Sequence, residues 1–204
     1  MLQVSSSLFV FRLIPNSSDP LIGSWSVQIG SLSGTTAQLT RNDTSFTTVS
    51  SIAFPSENTA TLTSVSCTAK TSKACGTVAG NKSTLAAALK NTLIPGWTDY
   101  SGLWRGSDGR YHIIHQSGFS LVNIRLDPSS TDPLAGSWSV SLGALNSTSA
   151  LVTRNDSNYS STTTINFQSA TTATATTVTC TPTPTNSTPC SYKPGDIVTW
   201  TKYL

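Results

Sequence analysis

The chain has 204 residues, a net charge of +3, a pI of about 8.7 and only 10% charged residues. That length suits one or two domains. The twelve Lys and Arg are scattered without a run or stripe, which excludes a nucleic-acid footprint, and no apolar run approaches the ~18–20 residues of a membrane helix.

From the N-terminus, the first apolar run is Leu8-Phe9-Val10-Phe11. It resembles a leader core, but at an offset of 113 it falls on Leu121-Val122-Asn123-Ile124 and reads as a strand. No leader peptide is visible in the chain. The same offset carries Asp19-Pro20-Leu21-Ile22-Gly23-Ser24-Trp25-Ser26-Val27 onto Asp132-Pro133-Leu134-Ala135-Gly136-Ser137-Trp138-Ser139-Val140. It also carries Arg41-Asn42-Asp43 onto Arg154-Asn155-Asp156, and Cys67 onto Cys180. The chain therefore reads as two tandem copies of one module: residues 1–94, a linker at 95–99 with Pro95-Gly96, and residues 100–204. Gln116 maps onto Gln3, so the first copy lacks the opening strand and most of the second. An open sheet edge presents unpaired donors and acceptors, and Gln3, Leu8, Phe9, Val10 and Phe11 are the candidate strand-exchange edge.

Cys67 and Cys75, then Cys180 and Cys190, are spaced C-x7-C and C-x9-C, with no His nearby. This is wrong for a zinc knuckle and right for one local disulfide per copy. Such bonds form in a periplasm or outside a cell, so the expected setting is extracellular or cell-surface. The segment Leu85 to Lys90 has good helix propensity, yet its place after the cysteine pair matches Ile197–Lys202 and favours strand. In the second copy, short runs at 101–105, 110–116, 119–126, 135–143, 149–154, 162–168, 172–181 and 196–203 are separated by turn chemistry such as Ser107-Asp108-Gly109 and Asn155-Asp156. Trp138, Val140 and Leu142 alternate with Ser137, Ser139 and Ser141, the period of a half-buried strand. The predicted fold is all-β: two antiparallel meanders, each an up-and-down barrel or curled sheet, with a two-sheet sandwich as alternative.

Convergent acids, bases or nucleophiles are scarce. Glu57 is the single glutamate, and the two histidines, His112 and His115, lie three apart, on opposite faces of a strand. No catalytic residue, metal or cofactor is expected. Arg12 and Arg125, and Arg41 and Arg154, are cations at matching positions; local pairing with Asp and contact with an acidic partner or glycan both remain open. Trp25 and Trp138 are candidates for the core or a cavity. Trp97, Tyr100, Trp104, Tyr111, Trp200 and Tyr203 cluster near the ends of the second copy, where first and last strands of a barrel meet. They either close the barrel by packing or form a partner or ligand surface.

Tyr100-Ser101-Gly102-Leu103-Trp104, followed by His115-Gln116-Ser117-Gly118, resembles a β-repeat module of secreted bacterial proteins with a Y-[ST]-G-L-W strand and an H-Q-G hairpin. That resemblance implies a secreted, non-enzymatic protein. Gly102-Leu103-Trp104 is also similar to the G-x-W first strand of lipocalin-like and avidin-like barrels. The function expected is a non-catalytic structural or adhesive protein, a filament subunit joined by β-strand complementation to its own kind or to another surface protein. The alternative is a barrel that binds a small ligand or glycan.

Overall fold

The computed structural model describes residues 1–4, 6–56, 59–72, 74–76, 78–86, 93–184 and 189–203, without the side chains of 2–4. Glu57, residues 87–90 of the helix-or-strand segment and residues 91–92 ahead of the linker lie outside the described residues. The described residues form fifteen strands and no helix. They divide into two compact units, each built from three stretches of chain.

Unit 2 comprises residues 14–24, 90–127 and 137–204. Its principal strands are β8 (Gly102–Gly106), β9 (Tyr111–Ser117), β10 (Ser120–Ser129), β11 (Asp132–Asn146), β12 (Ser149–Asn155), β13 (Tyr159–Phe167), β14 (Thr172–Pro182) and β15 (Ile197–Lys202). Each pairs antiparallel with the next, β10 pairs β11, and β15 returns to β8 through Trp200↔Gly106 and Lys202↔Trp104. The result is a closed eight-stranded antiparallel barrel, with no free edge in the ring. Inside it, Tyr100, Trp104, Ile114, Leu121, Leu145, Val152, Ile165, Phe167 and Trp200 pack as one apolar cluster.

Unit 1 comprises residues 1–13, 25–89 and 128–136. Its strands are β1 (Leu2–Val4), β2 (Ser7–Asn16), β3 (Asp19–Ser33), β4 (Thr36–Asn42), β5 (Phe46–Ser56), β6 (Thr59–Ala69) and β7 (Lys82–Ala86). They pair in sequence, from β1 with β2 to β6 with β7. Among the described residues no strand joins β7 to β1. The core is smaller: Leu8, Val10, Ala37, Leu39, Ile52 and Ala60, flanked by half-buried Leu32, Phe54, Leu62 and Leu85.

Two expectations about the chain order change. The compact units divide at 89/90 rather than at a 95–99 linker, and stretches 14–24 and 128–136 fall in the opposite unit from their sequence neighbours. The Asp-Pro pairs, a sequence that favours turn initiation, instead begin β3 and β11. The reason is the aspartate, which acts as a clamp. In unit 2, buried Asp19 accepts from the Leu21 and Ser157 amides, and these bonds hold its carboxyl below the usual range. In unit 1, Asp132 accepts from the Leu134 and Thr44 amides, at 3.0 and 2.8 Å. A carboxylate that satisfies buried N–H groups fixes two pieces of backbone at once.

Candidate functional site

A strand of a closed barrel sends alternate residues inward. In unit 2 the character of that inward row changes along β9 to β14, whereas β8 and β15 contribute Trp104, Val198 and Trp200. On β13 it runs Tyr159, Ser161, Thr163, then Ile165 and Phe167; on β12 it runs from Arg154 to Val152 and Ala150. On β9 it runs from His112 to Ile114, on β10 from Arg125 and Asn123 to Leu121, and on β14 from Thr177 to Ala175 and Ala173. Because neighbouring strands are antiparallel, all the polar ends fall at one end of the barrel. The opposite end is packed; one buried polar side chain there, Gln116, accepts from the Tyr100 amide at 3.0 Å. The polar end holds an inner chamber of about 80 Å³. It opens near a wider mouth of about 470 Å³, shared through Arg125, Ser139, Arg154, Tyr159 and Ser191 and walled by Ile14, Pro15, Ile22, Gly23 and Trp138. The mouth falls within the ~300–1,000 Å³ of small-molecule sites.

The charged groups are tightly arranged. Arg154 Nε donates to Asp156, with the arginine side chain 9% exposed and the carboxylate 0%. Asp156 in turn accepts from the Asn158 and Tyr159 amides. Arg125 donates through Nε and Nη2 to Asp127, and Arg110 bridges Asp127 and Asp108. The Tyr192 hydroxyl donates to Asp108. Burial and that bond to Asp108 push the Tyr192 phenol up to about 12. Burial opposes ionisation of Asp108, but the bonds from Tyr192 and Arg110 prevail and its pKa is lowered. His112 stacks on Trp200 with ring centroids 3.9 Å apart, and its Nδ1 lies 3.1 Å from Asn123 Oδ1. Burial outweighs that hydrogen bond and lowers the imidazole pKa to about 4, so the ring is neutral at pH 7.

The Cys180–Cys190 disulfide is formed, as is Cys67–Cys75. The first ties the chain after β14 back across the chamber, where it delivers Ser191 and Tyr192. Oxidising conditions are what such bonds require. No helix among the described residues is long and apolar enough to cross a membrane. Among them, no group of three or more His, Cys, Asp or Glu is placed to hold a metal.

The six terminal aromatics do not form one surface. Tyr100, Trp104 and Trp200 are 3%, 0% and 2% exposed. Tyr100 stacks on Phe167 at 3.9 Å, and Trp104 Nε1 donates to the Tyr100 carbonyl. These three close the barrel by packing, because indole and phenol rings fill the space where β8 meets β15. Trp97 flanks the core against Phe119, while Tyr111 and exposed Tyr203 form an edge-on pair. Trp138 walls the mouth and donates to the Ile14 carbonyl at 3.4 Å; Trp25 is buried in unit 1 near Phe11. The strand-exchange edge also shifts. Leu8, Phe9, Val10 and Phe11 lie on β2, which is paired on both sides, with Leu8 and Val10 buried; the outer strand is β1, which carries Gln3 opposite Leu8. The local arginine–aspartate pairs are present at both Arg41–Asp43 and Arg154–Asp156. Asn123, Ser139, Tyr159, Ser161, Thr163 and Thr177 were not singled out from sequence. On β13 both faces carry hydroxyl residues through Thr164, so no alternation marks which side chains point inward.

No protein-family model, curated protein or solved structure matches this chain.

Proposed function

We propose that the protein is a non-catalytic, extracellular or cell-surface binding protein whose unit 2 barrel holds a small polar ligand at its open end. The observation that carries this reading is the switch of the inward row from apolar to polar on successive strands, which leaves a chamber where packing would otherwise continue. Buried polar groups without a ligand role are costly to maintain, and here they converge on a space open to the mouth. A thermal-shift screen of the full chain against small hydrophilic compounds tests the reading. A ligand at about 100 times its Kd stabilises the folded state by about 2.7 kcal/mol. At least one chemical class should raise the unfolding temperature of the wild type and not of Arg154→Lys; a panel without effect contradicts the reading.

A second reading has its own observation. In unit 1, Leu32 and Phe54 are half-buried, whereas Leu145 and Phe167, 113 positions later, are 2% and 4% exposed. Leu85 faces Ala60 in the register where Trp200 faces Ala173, and it too is half-buried. We propose that a strand pair from another surface protein or from a second copy completes this sheet by β-augmentation, giving the protein a structural or adhesive role. Sedimentation over a concentration series should show self-association that Leu85→Lys abolishes; a monomer throughout leaves only a heterologous partner, and unchanged association in the variant refutes the site.

A further inference from the structure

We infer that the ligand of the unit 2 chamber is a neutral, polyhydroxylated ring of the sugar class; this rests on the binding reading above. Charge decides against the alternatives. Three guanidiniums, Arg110, Arg125 and Arg154, face three carboxylates, Asp108, Asp127 and Asp156, in direct ion pairs. The cluster is balanced, and Asp19, which also interacts with Arg154 but is held by the Leu21 and Ser157 amides, adds a further negative charge beside it, so an anion entering it meets no net attraction while losing its own hydration. A cation fares no better, because the carboxylates are already engaged. Asp108 takes Arg110 and Tyr192, Asp127 takes Arg110 and Arg125, and Asp156 takes Arg154 and two amides.

What remains at the chamber wall is hydrogen-bonding capacity without net charge. Arg154 spends only Nε on Asp156, which leaves Nη1 and Nη2 for the chamber, and its side chain is more than nine-tenths buried there. The fork is held flat by Asp156 and by the Tyr159 ring, 4.9 Å away. Ser139, Ser161, Thr163 and Thr177 add hydroxyls that both donate and accept. Prefixed donors of this kind match ether and hydroxyl oxygens, and paired hydroxyls match the ligand's own O–H groups.

Size sets the pose. The inner chamber admits only a few heavy atoms, so it takes a hydroxyl-bearing arm or ring edge. The body of the ring stays in the mouth against Tyr159 and the Pro15–Ile22 wall.

Calorimetric titration of the full chain with a methyl glycoside, the matching uronic acid, the matching amino sugar and inorganic sulfate tests this. The neutral glycoside should bind best, and its affinity should change less than about twofold between ~0.05 and ~0.5 M NaCl, since uncharged partners are not screened. Thr177→Val, which preserves shape, should weaken it roughly five- to tenfold, the effect of one hydrogen bond, and Arg154→Lys at least as much. Tighter, salt-sensitive binding of the uronic acid or sulfate overturns the inference and leaves the binding reading standing, as does preference for the amino sugar. If none of the four binds but another compound class passes the thermal screen, the inference alone fails. If neither gives a signal, both fail.

Discussion

His112 makes the stability of unit 2 depend on pH in a window of its own. The imidazole is buried with a folded pKa of about 4 against 6.5 for the free group. Between those values the unfolded chain binds the proton and the folded barrel refuses it, so stability falls as pH falls. Two and a half pKa units at 1.36 kcal/mol each set a ceiling of about 3.4 kcal/mol. The linkage relation gives a loss of about 2 kcal/mol by pH 5 and about 3 kcal/mol by pH 4. Asp19, Asp43 and Asp108 have pKa values below 3.8, so their stabilisation is intact above that value and lost only at lower pH. Urea unfolding followed by tryptophan fluorescence is the assay, because Trp97, Trp104, Trp138 and Trp200 all lie in unit 2. At an m-value of about 1–2 kcal/mol/M, the midpoint should drop by about 1–2 M between pH 7 and pH 5. His112→Gln keeps a partner for Asn123 and does not titrate, so its midpoint should stay level. A flat wild-type profile, or an equal slope in the variant, refutes the reasoning.

Trp104→Ala, at a site 0% exposed, should cost about 3–5 kcal/mol by the same urea assay. Asp156→Ala should cost about 3–5 kcal/mol, because it strands buried Arg154; the double change to Arg154→Met and Asp156→Leu should recover most of that. Replacing Cys180 and Cys190 with Ala releases a loop with a sequence separation of 10 and should cost about 2.5–3 kcal/mol in the chain-entropy model. It should also weaken ligand binding, since Ser191 and Tyr192 lose their tether. Gly143→Ala places a Cβ 2.0 Å from the Leu151 carbonyl and should lower the unfolding temperature, at about 1–3 kcal/mol of overpacking.

The eight strands of residues 100–204 were legible because turn chemistry brackets each. Along 136–142 the alternation marked a strand but not its faces: Ser139 is 4% exposed and lines the chamber, whereas Leu142 is 53% exposed, because the polar chamber takes the serine face inward. Disulfide pairing followed from spacing alone. The exchange of 14–24 and 128–136 was not legible: Asp-Pro carries the same turn signal whether its carboxylate caps a neighbouring turn or a distant loop. The fate of Tyr100, Trp104 and Trp200 was open for a related reason. Sequence shows that rings gather where strands meet, but only the register of β8 against β15 places them inside. The chamber was hidden in hydroxyl-rich strands, where Ser and Thr suit either face. Arg154 was noticed, as half of a local pair, but its unspent Nη groups became visible only once β12 was seated in the ring.

Two-dimensional NMR of the full chain titrated with a methyl glycoside tests the central claim most directly. The account predicts shifts at Ser139, Ser161, Thr163 and Thr177 while Ala150, Ile165 and Ala173, at the packed end of the same barrel, stay still. Shifts spread evenly over both ends, or confined to unit 1, would contradict it.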